Sequence, residues 1–326
     1  MKERRDHGLL FAGIGAAGIA TLLLSACGND SPVGGSSSGN GVGGTVFSLE
    51  SGGMNGSNSG AGGAGDTTSA ATWPPAGFIN VTNTTSGAYA LGPEISNGAT
   101  ATGTDTHDPA TVCAGLFGVV RDFKMGSQPG GHPDFETARV GNDTGIVENT
   151  LGSDGKPVYA HPDDKTSSTT GKANFDQWYR DVPDVNRTFI LGLQLVSSNG
   201  ISTFSAVKPN FFFPLDDQGF GNEGQPHNFS FTTEIHTAFT YQGGETFTFV
   251  GDDDVWVFID NKLVIDLGGR HAQMDGSVNI DSLGLTKGNT YDLAVFHAER
   301  HTSESNFQIQ TTLAFTDCGQ VNGVIY

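Results

Sequence analysis

Three consecutive carboxylates, Asp252, Asp253 and Asp254, stand between two segments that carry the two-residue period and the β-branched and aromatic content of strands. Before them Phe247 and Phe249 alternate with Thr248 and Val250; after them Val255, Val257 and Ile259 alternate with Trp256, Phe258 and Asp260. Asp260-Asn261, residue types that tolerate a positive φ, turn the chain into a second strand, Leu263 to Leu267, so the run reads as a hairpin with an acidic lip. Like charges held at a strand end repel one another. A hard cation with several oxygen ligands relieves that repulsion, and in a secreted protein Ca²⁺ is the usual one. A solvated acidic turn is the alternative, since the D-x-D-x-D-G spacing of an EF-hand is absent.

Further along, Tyr291, Leu293, Val295, His297, Glu299 and His301 share one face if the strand runs straight. His297, Glu299 and His301 would then form a possible transition-metal site, although the spacing is not H-E-x-x-H and the pattern is that of a strand. The favoured reading gives Glu299 to the acidic lip, as a Ca²⁺ ligand or an ion-paired group, with Arg300 on the opposite face and Asn306 offering a neutral carbonyl oxygen. Trp256 and the pair Trp178-Tyr179 are candidate sugar-stacking platforms, with core packing as the alternative. Gly35-Ser-Ser-Ser-Gly39 matches G-x-S-x-G but lacks the strand and helix of a nucleophile elbow. With no nucleophile paired to a base, no P-loop and no dinucleotide fingerprint, the chain reads as a non-enzyme.

Short alternating runs punctuated by Gly, Pro, Asn and Asp must position these residues. They are Leu116 to Phe123, Phe189 to Val196, Phe229 to His236, Phe239 to Tyr241, Phe247 to Val250, Val255 to Leu267, Tyr291 to Phe296 and Phe307 to Phe315. Strands spaced by turns predict an all-β fold, an antiparallel β-sandwich with long loops and at most short helices, one of them over Asn174 to Tyr179.

The string Gly251 to His271, GDDDVWVFIDNKLVIDLGGRH, resembles the signature of the fibro-slime domain, a module of bacterial and slime-mould surface proteins. Arg121-Asp-Phe123, His132-Pro-Asp-Phe135, Trp178-Tyr-Arg-Asp181, Phe211-Phe-Phe-Pro214, His227-Asn-Phe229, Ala298-Glu-Arg-His301 and Ser305-Asn-Phe307 resemble the same family, in order, across Val119 to Leu313. That family is similar to the protective-antigen-type carbohydrate-binding β-sandwich, in which an aspartate dyad holds Ca²⁺ and a pair of sugar hydroxyls. The resemblance maps the dyad onto Asp252 and Asp253, and Asp254 stands where the wider family usually has Gly. With the residue readings above, this gives an expected metal set of Asp252 and Asp253 with Asp254 in support and Glu299 and Asn306 as further candidates, and Trp256, His271 and Tyr179 as ligand-binding candidates.

Residues 1–26 carry Lys2, Arg4 and Arg5 and an apolar stretch from Leu9 to Leu24, the pattern of a signal peptide. Leu24-Ser-Ala-Cys27 resembles the bacterial lipobox, which implies lipidation of Cys27 and a cell-envelope address, by Gly28 at the outer membrane surface. Residues 27–72 are read as a flexible tether: from Gly28 to Ala71, 14 of 44 residues are Gly and none is Lys or Arg. Residues 73–110 follow as a partly ordered arm or an edge strand, and 111–320 as the fibro-slime β-sandwich. Of 3 cysteines, lipidation of one leaves Cys113 and Cys318 near the ends of the domain, a pair that reads as a disulfide in an oxidising compartment. A formal charge of -19 disfavours nucleic acid and anionic membrane surfaces and leaves cations and neutral glycans as partners. The chain is therefore expected to be a lipid-anchored surface protein with a Ca²⁺-binding, carbohydrate-binding or adhesive sandwich that meets an extracellular glycan or surface protein. The alternative is a structural surface-layer or fibre component that binds no glycan.

Overall fold

The computed structural model describes residues 73–74, 77–95, 113, 115–136, 138 and 140–319. The signal-peptide and tether segments, Cys27 included, lie outside the described residues. What is described is a sandwich of two antiparallel sheets with a third layer of loops, and the fold class is all-β as the strand pattern predicts.

The larger sheet runs, in spatial order, β1 (Ile79–Asn83), β2 (Ala88–Glu94), β4 (Asn186–Gln194), β3 (Gly115–Phe123), β7 (Phe231–Thr240), β12 (Thr290–Glu299), β9 (Asp254–Ile259) and β10 (Lys262–Leu267), with β14 (Phe315–Asp317) also paired to β7. The smaller sheet runs β11 (Met274–Asn279), β8 (Thr246–Gly251), β13 (Phe307–Thr311), β6 (Ile201–Ala206) and β5 (Val196–Ser198). Of the two alternatives for the arm, the described part is strand: β1 forms the sheet edge and β2 pairs with β4. The short helix α1 is one turn, Lys172–Phe175.

Period-two patterning works on two faces here. Val255, Val257 and Ile259 of β9 join Leu293 and Val295 of β12, and Phe249, Phe307 and Ile309 of the smaller sheet, in the core between the sheets. Trp256 and Phe258 point the other way, with Ala294, Phe296 and Ala298, into a second core closed by Phe135, Phe175, Trp178 and Tyr179 from the loops and α1. β9 is buried along its whole length because both of its faces are covered. Asp260 and Asn261 turn it into β10 at φ 50° and 60°, the doubly positive pair that two-residue hairpins favour. Cys113 and Cys318 are bonded, with Cα atoms 5.3 Å apart, and so clasp the start of β3 to the segment after β14.

Candidate acidic site at the sheet crossing

The acids do not sit in a loop. β8 belongs to the smaller sheet and β9 to the larger, so Asp252 and Asp253, joined by a cis peptide, are the whole of the crossing between them. Each amide is held by a different sheet: Asp252 N donates to Asn306 O beside β13 (3.3 Å), and Asp253 N to Ala298 O of β12 (3.2 Å). Gly251 is required just before the crossing, because a Cβ there would stand 2.6 Å from Asn306 O.

A crossing between two sheets is deep. Asp252, Asp253 and Asp254 are 4%, 3% and 0% exposed, which replaces the alternative of a solvated turn with a buried one. Asp252 is clamped by Asn306, whose backbone N donates to Oδ1 (2.5 Å) and whose Nδ2 donates to Oδ2 (2.8 Å). Asp253 Oδ2 accepts from the Arg300 backbone N (3.0 Å). Glu299, at the end of β12, is buried and faces the same acids; its Oε2 has no well-formed hydrogen bond in the described protein.

Burial pushes the Glu299 carboxyl well above the usual range, and the charges of Asp253 and Asp252 add to it. Asp253 is likewise raised, by burial first and then by Asp254 and Asp252 against the pull of Arg300. Asp252 is raised by burial against its two hydrogen bonds from Asn306. Among the described residues no Lys, Arg or His forms an ion pair with any of these three acids. They are three buried carboxylates whose charged forms burial and mutual repulsion disfavour.

Other candidates are placed elsewhere. Asp254 turns away from the dyad to the fully buried Arg300, which meets its Oδ2 through Nε (2.7 Å) and Nη2 (2.6 Å), while Gly269 N donates to Oδ1 (2.7 Å). Its charge is answered inside the protein, so it stands apart from the cluster. Asn306 spends its side-chain oxygen on Lys208 N (3.1 Å) and serves as a clamp rather than a carbonyl ligand. Trp256 and Tyr179 are corrections to the stacking-platform expectation: at 0% and 1% exposure they pack on each other and on Trp178 in the second core and offer no ring face to a ligand. Trp256 Nε1 donates to Asp266 Oδ1 (3.0 Å). His271 is also buried, with its ring nitrogens against the carbonyls of Ala272 (2.8 Å) and Leu267 (3.1 Å).

The His297, Glu299, His301 face is interrupted. His297 lies between the sheets with Nε2 on Asp252 O (2.8 Å) and its ring against Phe307 (5.2 Å), while His301 falls beyond the end of β12. Burial pushes the His297 imidazole down to about 4. Among the described residues no three His, Cys, Asp or Glu side chains stand together as a preformed metal site. A cation shared by Asp252, Asp253 and Glu299 would need these carboxylates to close on it. Sequence reasoning missed Ser305, whose hydroxyl is buried beside Glu299, and the clamp role of Asn306; neither carries a local signal.

Compared with known proteins, residues 196–322 match the PA14 domain family. Protein psiR of Dictyostelium discoideum is 39% identical over 214 residues, covering 60% of this chain and 22% of psiR. Protein psiD of the same organism is 43% identical over 208 residues, covering 58% of this chain and 41% of psiD. The chain thus spans about a fifth to two fifths of the length of these relatives. Among solved structures, the PA14 domain of MpAFP antifreeze protein aligns with a TM-score of 0.25 at 10% identity, covering 67% of this chain and 95% of that one. A β-glucosidase from Kluyveromyces marxianus in complex with glucose gives 0.23 at 14%, covering 53% and 19%.

Proposed function

We propose that the chain is a non-catalytic surface module, built on a PA14-type sandwich, that binds Ca²⁺ at the sheet crossing and uses it to hold a glycan or a partner surface. The observation that carries this reading is the group of three buried carboxylates, Asp252, Asp253 and Glu299, which form no ion pair among the described residues, with one oxygen lacking a hydrogen bond. Asp253 and Glu299 would hold the ion, with Asp252 beside them under the clamp of Asn306. Ca²⁺ supplies a point of attachment for vicinal hydroxyls and neutralises the cluster. Asp254 and Arg300 hold the crossing in place from behind.

The resemblance to fibro-slime proteins and the Leu24-Ser-Ala-Cys27 motif support display at an envelope surface through a lipid on Cys27. A glycan array probed with the purified protein, with and without chelator, tests the binding half. A chelator-sensitive part of the binding, which Asp253→Asn removes, is expected. Binding with no chelator-sensitive part, or none at all, overturns it.

A second reading is favoured by the sheet edges. Ile79 and Val81 of the edge strand β1 are 56% and 47% exposed, and Val196 and Ile201 at the far edge of the smaller sheet are 45% and 38% exposed. Exposed apolar edge strands template pairing with other chains, which suits a fibre or surface-layer component. Sedimentation that stays monomeric at every concentration counts against it.

A further inference from the structure

Away from the acidic crossing, a groove of about 450 Å³ opens between the edge strand β1 and the loop that follows Lys208. That volume falls within the range of small-ligand sites, which join apolar surface to a few placed polar groups. We infer that this groove is a second binding site, that it takes a neutral sugar ring, and that it works without a metal.

The apolar part is a set of contacting rings. His227 stacks flat on Phe213, with ring centroids 4.0 Å apart and an interplanar angle of 2°, and Phe229 supports Phe213 edge-on at 5.1 Å. Phe211, half-buried, adds a second ring 6.1 Å from Phe213. The stacked imidazole is fixed in its plane by Asp216, whose Oδ2 lies 2.6 Å from Nδ1 while Oδ1 accepts from Asn228 N (2.8 Å). With Nδ1 donating to Asp216, Nε2 is left over; the His227 side chain is 43% exposed. A half-exposed imidazole stacked on the buried Phe213 ring suits a pyranose, which presents C–H groups on its face and hydroxyls at its edge.

The polar part brings acceptors and donors together. Asp217 is exposed and its carboxylate has no partner in the described protein, although its backbone N is held by Asn222 Oδ1 (2.8 Å). Asn80 stands across the groove on β1. Both are turn-forming residues that tolerate a positive φ, here 59° and 54°. A carboxylate accepts paired hydroxyls, and an amide gives and takes one bond each, so hydroxyl groups meet complementary partners here. The two aspartates rule out an anionic sugar on charge.

Asn306 connects this groove to the crossing, since its side chain binds both Asp252 and Lys208 N. The two sites nonetheless share no ligand-facing residue, and this inference stands whether or not the crossing binds Ca²⁺.

The test is an array of neutral oligosaccharides probed with the full chain in excess EDTA, comparing wild type, Phe211→Ala and Asp217→Asn, with choline chloride as a competing cation. Wild type should bind in EDTA, while loss of the Asp217 acceptor weakens binding about tenfold. Asp217 is exposed, so its variant keeps the test sound if Phe211→Ala fails to fold. No binding by wild type in EDTA overturns the inference, as does binding that both groove variants retain. Displacement by choline and not by free sugar overturns the ligand class.

Discussion

Arg300 and Asp254 form an ion pair with both side chains at 0% exposure, and the guanidinium also lies 4.4 Å over the Trp178 ring. Its Nη1 donates to Ser168 O (2.7 Å), so one side chain ties the start of β9 to the loop layer. The pair anchors the strand that leaves the acidic crossing.

Breaking that pair from one side leaves a buried charge unanswered. Arg300→Met or Asp254→Leu alone should destabilise by about 3–5 kcal/mol, whereas the two together should lose markedly less than the two effects added. Urea unfolding of the four proteins measures this, and simple additivity would refute the coupling.

The second core makes a fluorescence prediction. Of the 3 tryptophans, Trp178 and Trp256 are fully buried and Trp73 is half-buried. Acrylamide should quench at most the Trp73 share of the emission, and no sugar should shift the rest. Trp256→Ala should cost about 3–5 kcal/mol in stability and leave any glycan contact to other residues.

Much of this was legible beforehand. The β9–β10 hairpin, its Asp-Asn turn and the face shared by Leu293 and Val295 follow from spacing that one strand or one turn decides, and the Cys113–Cys318 pair from counting the cysteines left after Cys27. What was not legible depends on partners distant in sequence. Trp256 alternates with Val255 and Val257 as a half-exposed strand would, yet loops from 135 to 179 cover its face. The strands β6, Ile201–Ala206, and β11, Met274–Asn279, have too little apolar alternation to stand out. At the site, three adjacent aspartates look alike in sequence. Only the side on which Arg300 lies separates Asp254 from Asp252 and Asp253.

Asp122 predicts a pH dependence. Burial raises its carboxyl to about 7 against hydrogen bonds from Phe220 N and Asn228 Nδ2. A carboxyl raised in the folded state keeps a proton that the unfolded chain releases from about pH 4 upward, so its contribution is full below that and is lost as pH climbs to 7. Stability should fall across this window by a few kcal/mol, at about 1.4 kcal/mol per pKa unit. The carboxyls of Asp252, Asp253 and Glu299 act with the same sign. Asp122→Asn should therefore flatten the slope in part, and an unchanged slope would contradict the assignment.

The disulfide closes a separation of 205 residues. In the loop-entropy account, Cys113→Ser with Cys318→Ser should lower stability by roughly 5 kcal/mol at most, read as a shift in the urea midpoint under matched conditions. A midpoint equal to that of the oxidised wild type would show the clasp to be energetically idle.

If a divalent cation neutralises the buried carboxylates at the crossing, calorimetric titration of the purified protein with Ca²⁺ will detect it. One ion per chain should bind to wild type, with binding lost in Asp253→Asn and in Glu299→Gln and kept in Asp217→Asn. A wild-type protein that takes up no Ca²⁺ near neutral pH would mean that protons alone balance the cluster.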